Sequence, residues 1–298
     1  MNRFYGTGVA MVTPFSNDRQ VDYDGLRALI NYLIDGGVEY LVSLGTTGES
    51  ATLNKDEKKK VFSFTAEVND GRVPLVAGIA GNNTYDVVES INHFDTAGYD
   101  AILSASPYYN KPTQAGIYQH YKAIAEASPL PVILYNVPSR TGSNISAETT
   151  VRLAEDFKNI TGIKEASGNF DQMNQIMRDK PKDFLLISGD DPISLPMIAL
   201  GAVGVISVVG NALPRHFSDM IRLCLKGEFT MAQKAHSSFI DFTRMMFAEG
   251  SPAGVKTALK TLGVCGDAVR LPLVQVSSHL AEKITEETQK LAAQVAAH

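Results

Sequence analysis

Residues 131–166 read PVILYNVPSRTGSNISAETTVRLAEDFKNITGIKEA and contain a strand, a helix and a second strand. The runs PVILYN and ITGIKEA are short and β-rich, and between them SAETTVRLAEDF has a helical pattern that opens on Ser146, a capping residue. Both strands are apolar along almost their whole length. We therefore expect both of their faces to be buried, as in a parallel sheet covered by helices.

The same alternation of strand and helix recurs along most of the chain. We predict strands at 8–13, 40–45, 74–80, 101–106, 131–136, 160–166, 184–190 and 204–209. The predicted helices between them include 22–37, 54–69, 85–99, 115–128, 146–157 and 192–202. This α/β pattern fits a closed (β/α)8 TIM barrel better than an open sheet. The first turn, TPFSNDRQ, also lacks the G-x-G-x-x-G of a dinucleotide-binding sheet.

The alternation stops after Gly227. Helical periodicity continues in the runs 231–249, 253–263 and 277–298. We therefore predict a barrel over residues 1–226, with its active site at the C-terminal mouth, and a C-terminal helical appendage over residues 227–298 that packs on it. No stretch rich in Pro, Gly or Ser separates the appendage as a free domain.

The composition is that of an ordinary globular protein. Of the 298 residues, 44% are hydrophobic and 20% are charged. A net charge of −5 without a basic run argues against nucleic-acid binding. No segment approaches the roughly 20 unbroken apolar residues that span a bilayer, and the amino terminus lacks a secretory signal. We therefore expect a cytoplasmic protein that binds neither nucleic acid nor membrane.

Neither the cysteines nor the histidines indicate a metal site. Cys224 and Cys265 form no CxxC or CxxH pattern, so we interpret them as buried thiols of a cytosolic protein. The histidines fall mostly in predicted helices, without H-x-H or H-E-x-x-H spacing. We therefore expect no metal, and a zinc-dependent aldolase is disfavoured.

Lys164 is the only lysine embedded near the end of a predicted barrel strand, the region where such barrels have their active sites. One interpretation is a lysine that reaches solvent at the rim, paired with Glu165. The other is a nucleophile, because desolvation favours the neutral amine, which forms Schiff bases with carbonyls. Adjacent strand residues point to opposite faces, so Lys164 and Glu165 cannot both face the interior. Position favours the nucleophile.

Further polar residues follow the other strands. GTTGES, after the second strand, is not a Walker motif, because no lysine follows its second glycine. It either holds a carboxylate with backbone N–H groups and hydroxyls or is a plain glycine-punctuated turn. Tyr108, Tyr109 and Tyr135 are core aromatics or members of a proton relay. Arg140 is a surface charge or a bidentate carboxylate clamp.

Five motifs in the same order and spacing carry a family resemblance. They are GTTGES, SPYYNKP, YNVPSRTG, GIKEASGN and SGDD. Together they resemble the dihydrodipicolinate synthase family of the pyruvate-dependent class I aldolase superfamily, which includes N-acetylneuraminate lyase. The resemblance covers essentially the whole chain. It implies a lyase that condenses pyruvate with L-aspartate-4-semialdehyde to 4-hydroxy-tetrahydrodipicolinate, in lysine and diaminopimelate biosynthesis.

The resemblance also assigns roles to individual residues. It makes Lys164 the Schiff-base lysine, and it makes Thr46, Tyr135 and Tyr109 a proton relay in which Tyr109 reaches into a neighbouring subunit's site. The implied substrate-binding residues are Thr47 and Arg140 for carboxylates, and Gly189 and Ile206 through their carbonyls. No metal or organic cofactor is implied, because the lysine–pyruvate imine is the electron sink. A homotetramer, built as a dimer of dimers, is the implied assembly.

Two alternative functions stay open. One is a pyruvate-releasing aldolase, such as N-acetylneuraminate lyase or a 2-keto-3-deoxy sugar acid aldolase. The lyase branch generally lacks an arginine after the YN-x-P turn, so Arg140 favours the synthase. The other is a catalytically silent keto-acid sensor, which the filled catalytic positions disfavour.

Many family members have an inhibitory lysine site at the dimer interface. The corresponding positions here are Ser50, Ala51, Lys55, Lys58, Asn82, Asp86 and Tyr108. Lys55 and Lys58 stand where histidines are common, and Asp86 stands where glutamate is usual. Two added cations repel a cationic amino acid, and the shorter Asp86 reaches less far toward its amine. We expect weak or absent inhibition by lysine.

Overall fold

The computed structural model describes residues 3–295 and contains a closed barrel of eight parallel strands in chain order. The strands are β1 Gly6–Ala10, β2 Tyr40–Ser43, β3 Leu75–Gly78, β4 Ala101–Ala105, β5 Val132–Asn136, β6 Ile160–Glu165, β7 Leu185–Ser188 and β8 Gly204–Ser207. Pairing of β1 with β8 closes the sheet on itself. The predicted (β/α)8 barrel is confirmed, and each predicted strand contains or overlaps an observed one.

The α-helices cover the outside of the barrel and then continue beyond it. They are α1 Tyr23–Asp35, α2 Lys55–Asn69, α3 Thr84–Asn92, α4 Gln114–Ala127, α5 Pro138–Thr141, α6 Ala147–Asp156, α7 Phe170–Asp179, α8 Ser194–Ala199, α9 Pro214–Leu225, α10 Phe229–Ser238, α11 Ile240–Phe247, α12 Ala253–Thr261 and α13 Ser278–Val295. The Ser146 side chain accepts a hydrogen bond from the Thr149 N–H, which confirms it as the cap of α6.

One predicted helix, 85–99, is wrong in its second half. The observed α3 ends at Asn92. Beyond it, the rings of Phe94 and Tyr99 pack edge-to-face against Phe62 on α2. These tertiary contacts hold the chain out of the helical path that its local pattern favours.

The predicted run 231–249 is two helices rather than one. Phe239 separates α10 from α11, with non-helical dihedrals of φ −126° and ψ 19°. Its buried ring packs against Phe217 of α9, at a centroid distance of 5.7 Å. The helices α5, α7 and α9 have no counterpart among the predicted helices.

The strand side chains alternate between two apolar layers. Outward residues such as Leu41 and Ile163 pack against the helices, whereas inward residues such as Val42 and Leu103 fill the barrel. Both faces of the strands are therefore buried, which explains their nearly unbroken apolar runs. Because the strands are parallel, their C-terminal ends meet at one mouth.

Helices α10 to α13 pack onto the barrel. Phe242, Met246 and Leu259 are fully buried in the same apolar cluster as the outward strand residues. The division between residues 226 and 227 stays a prediction, and positions 296–298 of the predicted appendage lie outside the described residues. Within residues 3–295, no helix is long and apolar enough to cross a membrane.

Candidate active site

Lys164 lies on β6, one residue before the strand ends, and its side chain faces the barrel interior. Its neighbour Ile163 packs outward against the helices, and strand alternation turns Lys164 inward. Lys164 is only 4% exposed. Its Nζ lies 4.2 Å from the centre of the ring of Tyr135, its partner in register on β5. A lysine that reaches solvent at the rim is therefore the wrong interpretation.

Glu165 points to the opposite side of β6, as strand alternation predicts. Its buried carboxylate accepts hydrogen bonds from Asn136 Nδ2 at 3.0 Å, Gln172 Nε2 at 3.0 Å and the Ser167 N–H at 2.7 Å. All three donors are neutral, and none of these bonds involves Lys164. The network fixes the adjacent ends of β5 and β6 behind the amine.

Gly189, directly after β7, leaves room for the Lys164 side chain. A Cβ atom at position 189 would lie 3.0 Å from Lys164 Cγ, 3.1 Å from its Cε and 2.8 Å from Ala166 Cβ. The Gly189 N–H donates to the Glu165 carbonyl at 2.8 Å. Ile206, near the end of β8, is buried in the interior apolar cluster that also contains Tyr135.

The GTTGES segment forms a tight turn after β2. Its residues 46–48 make one turn of 3-10 helix, flanked by Leu44 and Glu49 with left-handed φ values of 55° and 52°. Non-glycine residues adopt this conformation rarely, so surrounding contacts must hold the turn. Thr47 is buried under the turn, whereas Thr46 is exposed.

The loops after β4 and β5 contact each other. The Tyr109 N–H donates to the Thr141 carbonyl at 3.3 Å, and Ser143 Oγ donates to the Pro107 carbonyl at 2.8 Å. Tyr109 has a left-handed φ of 76° and is 87% exposed. Arg140, on α5, is also exposed. These contacts bring the Tyr109 and Arg140 loops to the same side of the mouth.

The three predicted relay residues differ in their surroundings. Tyr135 is buried beside Lys164, whereas Thr46 and Tyr109 are exposed to solvent. Within one chain, over the residues that the structure describes, no hydrogen bond joins the three hydroxyls. The geometry of a single chain thus pairs Tyr135 with the amine but leaves the relay incomplete.

Two acidic residues that follow β7 have no role among those that the family resemblance implies. Asp191 is buried, and its Oδ2 accepts the N–H groups of Val208 at 3.0 Å and Val209 at 2.9 Å, which ties β7 to the end of β8. Burial raises the pKa of Asp191 to about 6. Burial also raises the pKa of Asp190, and the nearby charge of Lys164 opposes that rise. The feature of the sequence that points to these two residues is the SGDD motif, which places two acidic residues at the end of a predicted strand.

The predicted lysine-site residues lie around the turn after β2 and in the segments after β3 and β4. Asn82 Nδ2 donates to the Tyr108 carbonyl at a long 3.4 Å. Asp86 Oδ2 accepts from Asn83 Nδ2 at 2.8 Å. Lys58 is half-buried, and burial lowers its pKa. Ser50 is also half-buried, whereas Ala51 and Lys55 are exposed, and a shared effector site stays a prediction.

Among residues 3–295, no group of three or more His, Cys, Asp or Glu side chains could hold a metal ion. The candidate site contains an amine beside an aromatic ring, with exposed hydroxyls and an arginine at its rim. An amine in such surroundings can form an imine with a keto acid.

A comparison with models of known protein families finds a match over almost the whole chain. A sequence model described as the Dihydrodipicolinate synthetase family matches residues 3–291. The chain belongs to this family.

The chain is similar to relatives and solved structures of the family over almost their full length. A 4-hydroxy-tetrahydrodipicolinate synthase of Flavobacterium psychrophilum is 54% identical over 98% of this chain and 99% of its own. The crystal structure of dihydrodipicolinate synthase from Aquifex aeolicus is 41% identical, with a TM-score of 0.94 over 97% of this chain and 98% of that one. A structure described as a monomeric dihydrodipicolinate synthase variant is 37% identical, with a TM-score of 0.92 over 96% and 97%.

Proposed function

We propose that the chain is a lyase that condenses pyruvate with L-aspartate-4-semialdehyde to give 4-hydroxy-tetrahydrodipicolinate, in lysine and diaminopimelate biosynthesis. The observation that carries the proposal is the buried amine of Lys164, 4.2 Å from the centre of the Tyr135 ring at the mouth of a barrel of this family. A neutral lysine amine attacks carbonyl carbons to form an imine.

The reaction begins when Lys164 Nζ attacks C2 of pyruvate. The carbonyl oxygen takes up one proton from the amine and one from a neighbouring hydroxyl and leaves as water, which forms an iminium ion. Loss of a proton from C3 gives an enamine, whose C3 then attacks the aldehyde carbon of the second substrate. The aldehyde oxygen takes up a proton. The amino group of the second substrate finally displaces Lys164 from C2 and closes the ring, so the lysine is regenerated.

These steps require protons to be added to or removed from oxygen, nitrogen and C3, and a chain of hydroxyls can transfer them. Tyr135 is the relay residue beside the amine. Thr46 of the same chain and Tyr109 of a neighbouring subunit complete the relay. The 87% exposure of Tyr109 supports this role, because a ring that projects from its own chain can enter another. The active form is then at least a dimer, and a homotetramer is the proposed assembly.

Substrate carboxylates require hydrogen-bond donors at the mouth. Thr47 and nearby backbone N–H groups bind the carboxylate of pyruvate, and Arg140 binds that of the aldehyde with a bidentate pair. The carbonyls of Gly189 and Ile206 line the site. The lysine imine supplies the electron sink, so the reaction uses no metal or organic cofactor. The proposed location is the cytoplasm.

Feedback by lysine is proposed to be weak or absent. Lys55 and Lys58 add positive charge where a cationic effector would bind, and Asp86 is engaged with Asn83.

A substrate panel tests the function and separates it from the sugar-acid aldolases. Purified protein should consume pyruvate only with aspartate-semialdehyde, and Arg140→Ala should raise KM for the aldehyde more than KM for pyruvate. Turnover of N-acetylneuraminate or a 2-keto-3-deoxy sugar acid, without turnover of aspartate-semialdehyde, would overturn the proposal. Absence of all turnover would favour a silent keto-acid sensor.

A further inference from the structure

A buried ion pair joins the C-terminal helices to the GTTGES turn. Lys256 on α12 donates to Glu49 Oε1 at 2.5 Å, and both side chains are 0% exposed. Lys256 also donates to the Ala268 carbonyl at 2.8 Å, and Glu49 Oε2 accepts the Arg270 N–H at 3.0 Å. Both carboxylate oxygens of Glu49 are thus bound by residues far along the chain.

Glu49 is well placed to control the turn that precedes it. Its N–H donates to the Thr46 carbonyl at 3.1 Å, and its left-handed φ of 52° ends the 3-10 turn. An uncompensated conformation of this kind is unfavourable for a non-glycine residue. The side-chain contacts of Glu49 therefore stabilise the backbone conformation that fixes Thr46 and Thr47.

Both side chains of the pair are fully buried, so each charge depends strongly on the other. Lys256 Nζ lies 4.2 Å from the centre of the Phe15 ring, and burial lowers the pKa of Lys256 while Glu49 opposes the change. Removal of one partner leaves a buried charge without compensation.

Arg270 adds a second link between the same two regions. Its guanidinium donates to the Thr52 carbonyl at 3.1 Å and to both carboxylate oxygens of Glu57, at 2.9 Å and 2.6 Å. The segment around residue 270 therefore lies across the chain that follows the turn. The C-terminal helices hold this part of the mouth through charge as well as packing.

We propose that Glu49 and Lys256 are positioning residues for the reaction, because their ion pair holds the turn that carries Thr46 and Thr47. This inference rests on the proposed function for its kinetic consequence. In the Lys256→Met variant, the turn loses its anchor on α12 and the pyruvate-binding geometry loosens. A small displacement of a substrate-positioning group slows a reaction considerably.

The matched control is Lys260→Met, one turn further along α12, where the lysine is 61% exposed and pairs with Asp267 at 3.0 Å. We expect Lys256→Met to raise KM for pyruvate at least about tenfold, with a smaller change in kcat. The control variant should match the wild type. A folded Lys256→Met protein with an unchanged KM for pyruvate would overturn the proposal.

The double variant Glu49→Gln/Lys256→Met separates positioning from stability, because it leaves no buried charge unpaired. We expect its thermal unfolding to approach that of the wild type while KM for pyruvate stays raised. Recovery of KM together with stability would make the pair merely structural and contradict the proposal. Failure of the double variant to fold would also contradict the proposal.

Hydrogen exchange of the peptide spanning residues 44–53 tests the positioning without any substrate. The Gly48 and Glu49 amides, bonded to Gly45 and Thr46, should lose protection in Lys256→Met but not in Lys260→Met. If the wild type does not turn over the proposed substrates, the proposed function fails, yet this exchange difference still decides whether the pair holds the turn. Equal protection of these amides in both variants would refute the proposal that the ion pair holds the turn.

Discussion

Gly189→Ala should slow imine formation by crowding Lys164 while leaving the fold intact. The added Cβ would lie 3.0 Å and 3.1 Å from two carbons of the lysine chain, and 2.8 Å from Ala166 Cβ. Because carbon atoms pack best at about 3.5–4.0 Å, the lysine chain must move by roughly 0.5 Å. A displacement of about 1 Å can cost about 100-fold in rate, so we expect roughly a tenfold loss.

The assay is the rate at which pyruvate and borohydride trap the protein, measured beside its urea unfolding. Overpacking should cost about 1–3 kcal/mol of stability, which a protein of this size can lose and remain folded. Gly266→Ala is the matched control, because its Cβ would meet Phe15 O at an ordinary 3.5 Å. A folded Gly189→Ala protein that is trapped as fast as the control would refute the reasoning about close approach.

Three further predictions concern other groups. The pKa of Asp191 is raised from 3.8 to about 6, so the free energy of unfolding should fall as pH rises from about 4 to about 6. Asp191→Asn should remove about 3 kcal/mol of that pH dependence in urea titrations. At an aldehyde concentration too low to support the Arg140→Ala variant, mixing Tyr109→Phe and Arg140→Ala subunits should raise activity above that of either variant alone, because a mixed dimer has one intact site. No gain after verified subunit exchange would contradict a shared relay. Lysine should inhibit weakly in steady-state assays, and replacing Lys55 and Lys58 with His should strengthen inhibition.

The barrel could be predicted from the sequence because its strands are buried on both faces. Residues such as Leu41 and Val42 are adjacent in sequence but belong to different apolar layers, so the strand is an unbroken apolar run. The end of α3 could not be predicted in the same way. Contacts of Phe94 and Tyr99 with Phe62 decide it, and they depend on the packing of α3 against α2.

Some residues of the candidate site could also be predicted from the sequence, and others could not. Lys164 stands out locally, as a lysine at the end of an apolar strand, and alternation correctly separates it from Glu165. The bond between Glu49 and Lys256 joins residues 207 positions apart, and no local pattern pairs them. The acceptor role of Asp191 likewise depends on how closely β7 and β8 approach at their ends.

The most direct test of the central claim is to identify the residue that pyruvate modifies in the presence of borohydride. Peptide mapping by mass spectrometry should find a reduced pyruvyl group on Lys164, and Lys164→Ala should abolish the modification. An unmodified Lys164, or modification of another lysine while Lys164→Ala keeps its activity, would contradict a Schiff-base mechanism at this site.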